Sequence, residues 1–324
     1  MTLTDHLEWI DLPGDPAPDG LESHRITGAD DVSLRVVYAP AKGEAKGSVV
    51  IAPGRTEFVE KYAETMRELQ ARGFACVCVD HRGQGLSDRL LDNPLKGHVT
   101  RFEAYAEDFE TVYTAFDDRL PGPRILLAHS MGGAIGLAVL LRGAVRFDGV
   151  LFSAPMWGLG GLNGAIARVI AEPVAGVAAD FFAPGADRQA IEFDFDANPV
   201  TQDESRFDRA AARVKAERAL AVAGPTWGWL AQAVETIKHF EDVQTVNALK
   251  SLETPITVLS AEKERLVNKA SHERIAGLLP QSRRTTIPEA RHELLQEVDA
   301  VRAQVFDEFD ALVERVGGAT AKAA

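Results

Sequence analysis

The chain has 324 residues, 46% hydrophobic and 26% charged, which suits one globular domain with room for an insertion. Its formal charge of −13 opposes binding to nucleic acid and electrostatic docking on anionic lipid, but it does not oppose a lipid substrate recruited by apolar surface. Residues 1–19 carry acids and prolines instead of a basic-then-apolar leader, and the longest apolar stretch, 160–182, is broken by Arg168, Glu172, Pro173 and Asp180, so a cytoplasmic protein is expected.

Residues 25–28 and 32–39 flank Gly28-Ala29-Asp30-Asp31 and read as a hairpin. Residues 48–52 form a buried strand stopped by Pro53-Gly54, and a helix follows through Tyr62, Met66 and Leu69 to Gly73. The next strand, 74–79, carries Cys76 and Cys78 on one side, which suits buried thiols better than a disulfide. No histidine or further cysteine clusters with them, so neither metal nor cofactor is expected. A helix over 102–116 ends before Pro121-Gly122-Pro123. Then come a strand through Ile125-Leu126-Leu127-Ala128, a helix with Ile135, Val139 and Leu140 on one face, and a strand at 149–153. This alternation predicts a mostly parallel α/β sheet covered by helices on both faces. It fails over 157–249, too long for an ordinary connection and rich in helical pieces, which reads as a helical cap inserted over the strand ends. The core would then comprise 1–156 and 250–324, resuming with a strand at 256–260, a helix at 269–279, a strand at 284–287 and a helix at 299–316. Residues 317–324 read as a frayed tail.

The stretch Ala128-His129-Ser130-Met131-Gly132-Gly133 joins a strand directly to a helix through small residues. That is the pattern of a strained turn that exposes one hydroxyl. It resembles the nucleophile elbow of the α/β-hydrolases, in their bacterial lysophospholipase and monoacylglycerol lipase branch, with Ala128 where the first glycine is usual. Further segments resemble the same branch in the same order: Pro53-Gly54-Arg55-Thr56-Glu57, Asp80-His81-Arg82-Gly83-Gln84-Gly85-Leu86-Ser87, Gly97-His98-Val99, Gly224-Pro225-Thr226-Trp227 and Ala290-Arg291-His292-Glu293-Leu294-Leu295. The likeness runs from about residue 49 to residue 292. It implies an α/β-hydrolase fold and a cofactor-independent serine hydrolase acting on carboxylic esters, with a lysophospholipid or monoacylglycerol as substrate.

A serine hydroxyl needs a base, and α/β-hydrolases order their triad serine, acid, histidine along the chain. Ser130 is the expected nucleophile and His292, beyond the last core strand, the expected base. His129 would line the pocket or pack, His81 would make a structural hydrogen bond, and His6, His24, His98, His239 and His272 read as solvated or structural. Aligning Arg265-Leu266-Val267 with the family's residues after its acid selects Glu264, with Glu262 as the alternative. By the same analogy the oxyanion donors are the backbone N–H groups of Met131 and Arg55. The Arg55 side chain either meets a substrate phosphate or carboxylate, or bridges to Glu57 or a neighbouring acid. The 80–87 segment is assigned to scaffolding, with its glycines at positive φ.

Trp157, Trp227 and Trp229, with Phe181, Phe182, Phe193, Phe195 and Phe207, would either line an acyl tunnel, touch a membrane surface, or form the cap's own core. His129, Trp157 and Trp227 are the expected substrate contacts, and the cap would allow transient contact with the inner face of the membrane. Two other activities fit the same triad, an aminopeptidase and an acyltransferase. The aminopeptidase would need an acidic anchor such as Glu172, Asp187 or Glu192. A silent binding module is the remaining alternative.

Overall fold

The computed structural model describes residues 2–3, 8–188 and 193–323. Among them the strands are β1 (Thr2–Leu3), β2 (Glu22–Thr27), β3 (Ser33–Ala39), β4 (Gly47–Ala52), β5 (Phe74–Val79), β6 (Arg124–His129), β7 (Gly149–Ser153), β8 (Ile256–Ala261) and β9 (Ser282–Ile287). They form one sheet in the order β1-β2-β3-β5-β4-β6-β7-β8-β9. The first three strands are antiparallel to their neighbours, and β4 through β9 run parallel.

Continuous apolar runs make the central strands, because each is buried on both faces. Period-two alternation then divides them. Val50, Val77, Leu126, Val150 and Val258 join one hydrophobic cluster, while Val49, Cys76, Cys78, Ile125 and Leu151 join the other. The first cluster is closed by α2 (Glu103–Ala115), α3 (Met131–Arg142) and α8 (Lys269–Ala276). The second is closed by α1 (Ala63–Ala71) and α9 (Asp299–Ala323). Each fully buried Val, Leu, Ile or Phe contributes about 1.5–3 kcal/mol relative to exposure. Cys76 and Cys78 share a face as free, buried thiols. The expected tail is instead helical: α9 runs on past Val316 to Ala323, because the residues after Gly317-Gly318 are alanine-rich and alanine is the best helix former.

Between β7 and β8 lie α4 (Gly161–Ala178), α5 (Glu204–Ala216), α6 (Trp227–His239) and α7 (Val243–Leu249). The end of this segment returns to the sheet, since Phe240 and Leu249 are fully buried in the first cluster. Among the described residues no helix is long and apolar enough to cross a membrane.

Two features of the topology create the site. From β4 the chain winds one way to β5 and then crosses back to β6 on the other flank, so the carboxyl ends of β4 and β6 border a crevice. The loop after β4 is fixed from below. Arg35, fully buried on β3, is paired with Glu60 and Asp80 at 2.6 Å each, and Asp80 also accepts the N–H groups of Val59 and Leu86.

Candidate active site

Ser130 stands between β6 and α3 with φ 50° and ψ −115°, a left-handed conformation that a side chain other than glycine adopts at a cost of about 1–3 kcal/mol. The surroundings enforce it. Ser130 N–H donates to Ser153 O at 3.0 Å, and its carbonyl accepts from Met156 N–H at 2.8 Å. The helix start must press against the end of β4, so Gly132 has no room for a side chain: a Cβ there would sit 2.0 Å from Ala52 O.

The turn aims Ser130 at His292, which the loop after β9 delivers. The Ser130 hydroxyl lies 2.8 Å from His292 Nε2, and His292 Nδ1 lies 2.7 Å from Glu264 Oε2. Glu264 is therefore the partner of His292. Its other oxygen accepts the N–H groups of Leu266 and Val267 at 2.7 and 3.2 Å. Burial alone would raise this carboxyl; hydrogen bonds from His292 and from the two backbone amides hold it down at about 2. Glu262 is exposed and accepts Glu289 N–H, away from the histidine.

In the loop after β4, the backbone donors on either side of Arg55 are occupied. Gly54 N–H is taken by Glu57, and Thr56 N–H by Gln84 Oε1 at 3.3 Å. Among the described residues, the N–H groups of Arg55 and Met131 meet no protein acceptor. The loop is clamped: Gln84 Nε2 donates to Gly54 O and Glu57 O, and Glu57 also accepts the Tyr62 hydroxyl. Lys61 then ties Glu57 at 3.0 Å to Glu293 at 2.6 Å, joining this loop to the one that carries His292. The 80–87 segment thus supports the site from behind. Its Gly83 and Gly85 have φ of 78° and 57°, and a Cβ on Gly85 would sit 2.0 Å from Asp80 Cγ.

A cavity of about 630 Å³ opens over Ser130 and His292. Its walls are largely apolar and include Leu159, Phe193, Phe207, Val214, Leu220 and Trp229, with Arg55, Lys61 and Arg206 as cations. His129 lines it, donating Nδ1–H to Ser153 O at 3.0 Å with its ring 4.9 Å from that of His292. Burial lowers its pKa, which favours the neutral ring. His81, buried against Tyr105 and Phe109, is pushed down to about 4, and His272 and His98 bond to core groups. His6 lies outside the described residues.

Two expected substrate contacts lie elsewhere. Trp157 is fully buried under α3, donating Nε1–H to Gly133 O at 3.0 Å and packing on Phe152 and His272. Trp227 packs with Ala171 and Val234 on the side of α6 facing α4. The tryptophan in the cavity is Trp229, two residues on and about 200° around the helix. Residue type alone carried no signal for that choice. The spacing from the Thr226 cap, which accepts Trp229 N–H, would have separated the two faces.

Residues 43–299 match the family described as serine aminopeptidase, S33. Lysophospholipase L2 of Escherichia coli K12 is 34% identical over 295 residues, covering 86% of this chain and 83% of that protein. A monoacylglycerol lipase of Mycolicibacterium smegmatis is 32% identical over 135 residues, 41% of this chain and 46% of that one. A soluble variant of monoglyceride lipase from Saccharomyces cerevisiae, solved with a substrate analog, superposes with a TM-score of 0.71 at 18% identity, over 91% of this chain and 96% of that one. The fold is therefore that of the α/β-hydrolases.

Proposed function

This chain belongs to the serine aminopeptidase S33 family, and on that premise we propose that it is a cofactor-independent carboxylic ester hydrolase acting on monoacyl lipids, a lysophospholipid or a monoacylglycerol. The observation that carries the reading is the unbroken hydrogen-bond chain Ser130–His292–Glu264 at 2.8 and 2.7 Å, opening into an apolar cavity. Ser130 Oγ attacks the acyl carbonyl while its proton passes to His292 Nε2. Glu264 keeps the other imidazole proton on Nδ1 and stabilises the imidazolium. The N–H groups of Arg55 and Met131, the latter at the start of α3, receive the oxyanion. As the ester C–O bond breaks, His292 gives its proton to the departing alkoxide. Water then loses a proton to His292 and attacks the acyl-serine, which releases the fatty acid and returns the proton to Ser130.

In this reading 157–249 is a lid on the core formed by 1–156 and 250–324, because Leu159, Val214, Leu220 and Trp229 of that segment wall the cavity. The lid exposes Val169, Val177 and Phe181 to solvent, which supports transient contact of the lid with a membrane surface. The aminopeptidase alternative is weaker. Glu172 is an exposed partner of Lys238, Glu172 and Asp187 do not line the cavity, and Glu192 lies outside the described residues; of the acids that do line it, Glu57 and Glu293 are paired with Lys61, and Asp194 accepts the N–H groups of Asp196 and Ala197.

A substrate panel tests the reading: a lysophospholipid, a monoacylglycerol, p-nitrophenyl butyrate and an amino-acid amide. Release of fatty acid from the lipids is expected, with a fluorophosphonate labelling Ser130 and S130A losing on the order of a millionfold in turnover. Turnover of the amide alone, or an S130A variant that still cleaves the esters, ends it.

A further inference from the structure

Among the described residues three cations line the cavity, and two of them are neutralised. Lys61 sits between Glu57 and Glu293, and Arg206 is paired with Glu64, Asp203 and Asp299. Arg55 has no carboxylate partner among the described residues. Its Nη2 donates to Ala223 O at 2.6 Å, its guanidinium carbon lies 5.1 Å from the Trp229 ring centroid, and its Nε is buried without an acceptor. The bridge to Glu57 is not made, because that carboxylate is engaged by Gly54, Tyr62 and Lys61. The buried guanidinium groups of Arg35, Arg82 and Arg213 are matched to acids, whereas Arg55, on the cavity wall, meets a carbonyl and a ring. Burial draws the Arg55 pKa down to about 10, so the group remains charged at neutral pH, with an unsatisfied donor, on the wall of the cavity that Ser130 also lines.

We propose that the Arg55 guanidinium is a subsite for the anionic phosphodiester of a lysophospholipid, and that it makes the site prefer this charged substrate over a neutral monoacylglycerol. The proposal rests on the ester-hydrolase reading and goes beyond it by assigning the head group. Residue 55 would grip the substrate at two points: its backbone N–H at the acyl oxyanion and its side chain at the phosphate, which the glycerol carbons separate. A guanidinium presents planar donors that suit two phosphate oxygens, and the aromatic face of Trp229 holds that plane without neutralising it. A neutral monoacylglycerol would leave the same charge unanswered.

The test compares kcat/KM for lysophosphatidylglycerol and for a monoacylglycerol of the same acyl chain, both below their aggregation concentrations. Wild type, R55M and R55K are assayed. Loss of a charge-assisted hydrogen bond to phosphate lowers the lysophospholipid-to-monoacylglycerol ratio by about 10- to 100-fold in R55M. Because methionine and lysine both keep the backbone N–H at position 55, damage to the loop itself moves both substrates and cancels in the ratio. R55K, which retains a positive charge, gives an intermediate ratio. An R55M ratio within twofold of wild type overturns the proposal and leaves Arg55 as a strut to Ala223. A wild type that cleaves only neutral esters overturns the subsite while the hydrolase reading stands. A folded wild type that cleaves no ester overturns both.

Discussion

Replacing Glu264 by glutamine isolates what the buried carboxylate does. Oε1 of Glu264 accepts two backbone N–H groups, from Leu266 and Val267, and Oε2 accepts from His292. In the variant the amide oxygen must stay with the two backbone donors, because an amide NH2 there would face donors with donors. The NH2 is therefore turned toward His292 Nδ1, and it can only donate. That fixes the imidazole proton on Nε2, the nitrogen that has to accept from Ser130, so the base is present in the wrong tautomer. In a triad this substitution costs about 10⁴ in kcat, or ~5 kcal/mol of transition-state stabilisation. The assay is kcat on p-nitrophenyl butyrate at pH 8, with E262Q as the control in the same loop. Glu262 is exposed and bonded to Glu289 N–H, so E262Q is expected to stay within about twofold of wild type. An E264Q enzyme that keeps more than a tenth of its kcat, or an E262Q loss of equal size, would refute the tautomer argument.

The same carboxyl sets an acid limit. Glu264 is held at about 2 when folded against an ordinary 4.5, so its stabilising contribution is full above pH 4.5 and is lost as pH falls toward 2. The stability gap between wild type and E264Q, read by urea unfolding, should shrink across that window; a constant gap would contradict it. G132A places a Cβ against Ala52 O and Pro53 O, backbone just before the Arg55 donor, so both Tm and kcat should fall, kcat by about 10²–10³. Unchanged values for both would mean the elbow is looser than its contacts imply. R35M leaves Glu60 and Asp80 buried without their cation, an expected cost of about 3–5 kcal/mol, or a Tm lower by on the order of 10 °C. A Tm within 2 °C of wild type on thermal unfolding, a shift of about 1 kcal/mol, would argue against the pairing.

The features legible from the amino-acid order are those that depend on near neighbours in the chain. Apolar runs marked the central strands, and period two put Cys76 and Cys78 on one face. The small residues around Ser130 announced a turn whose tightness the Gly132 contact then accounts for. The triad order was legible because a parallel sheet brings all its strand ends to one edge, so positions far apart in sequence converge there in a fixed succession. Tertiary structure alone decided which side chains meet across elements. Trp157 and Trp229 look alike in sequence, yet one props α3 and the other walls the cavity. Nothing local revealed that Lys61 would join Glu57 to Glu293, more than two hundred residues away. Nor could it reveal that Arg55 would meet no acid among the described residues, because charge compensation depends on what packing delivers to a side chain and not on which residues precede and follow it.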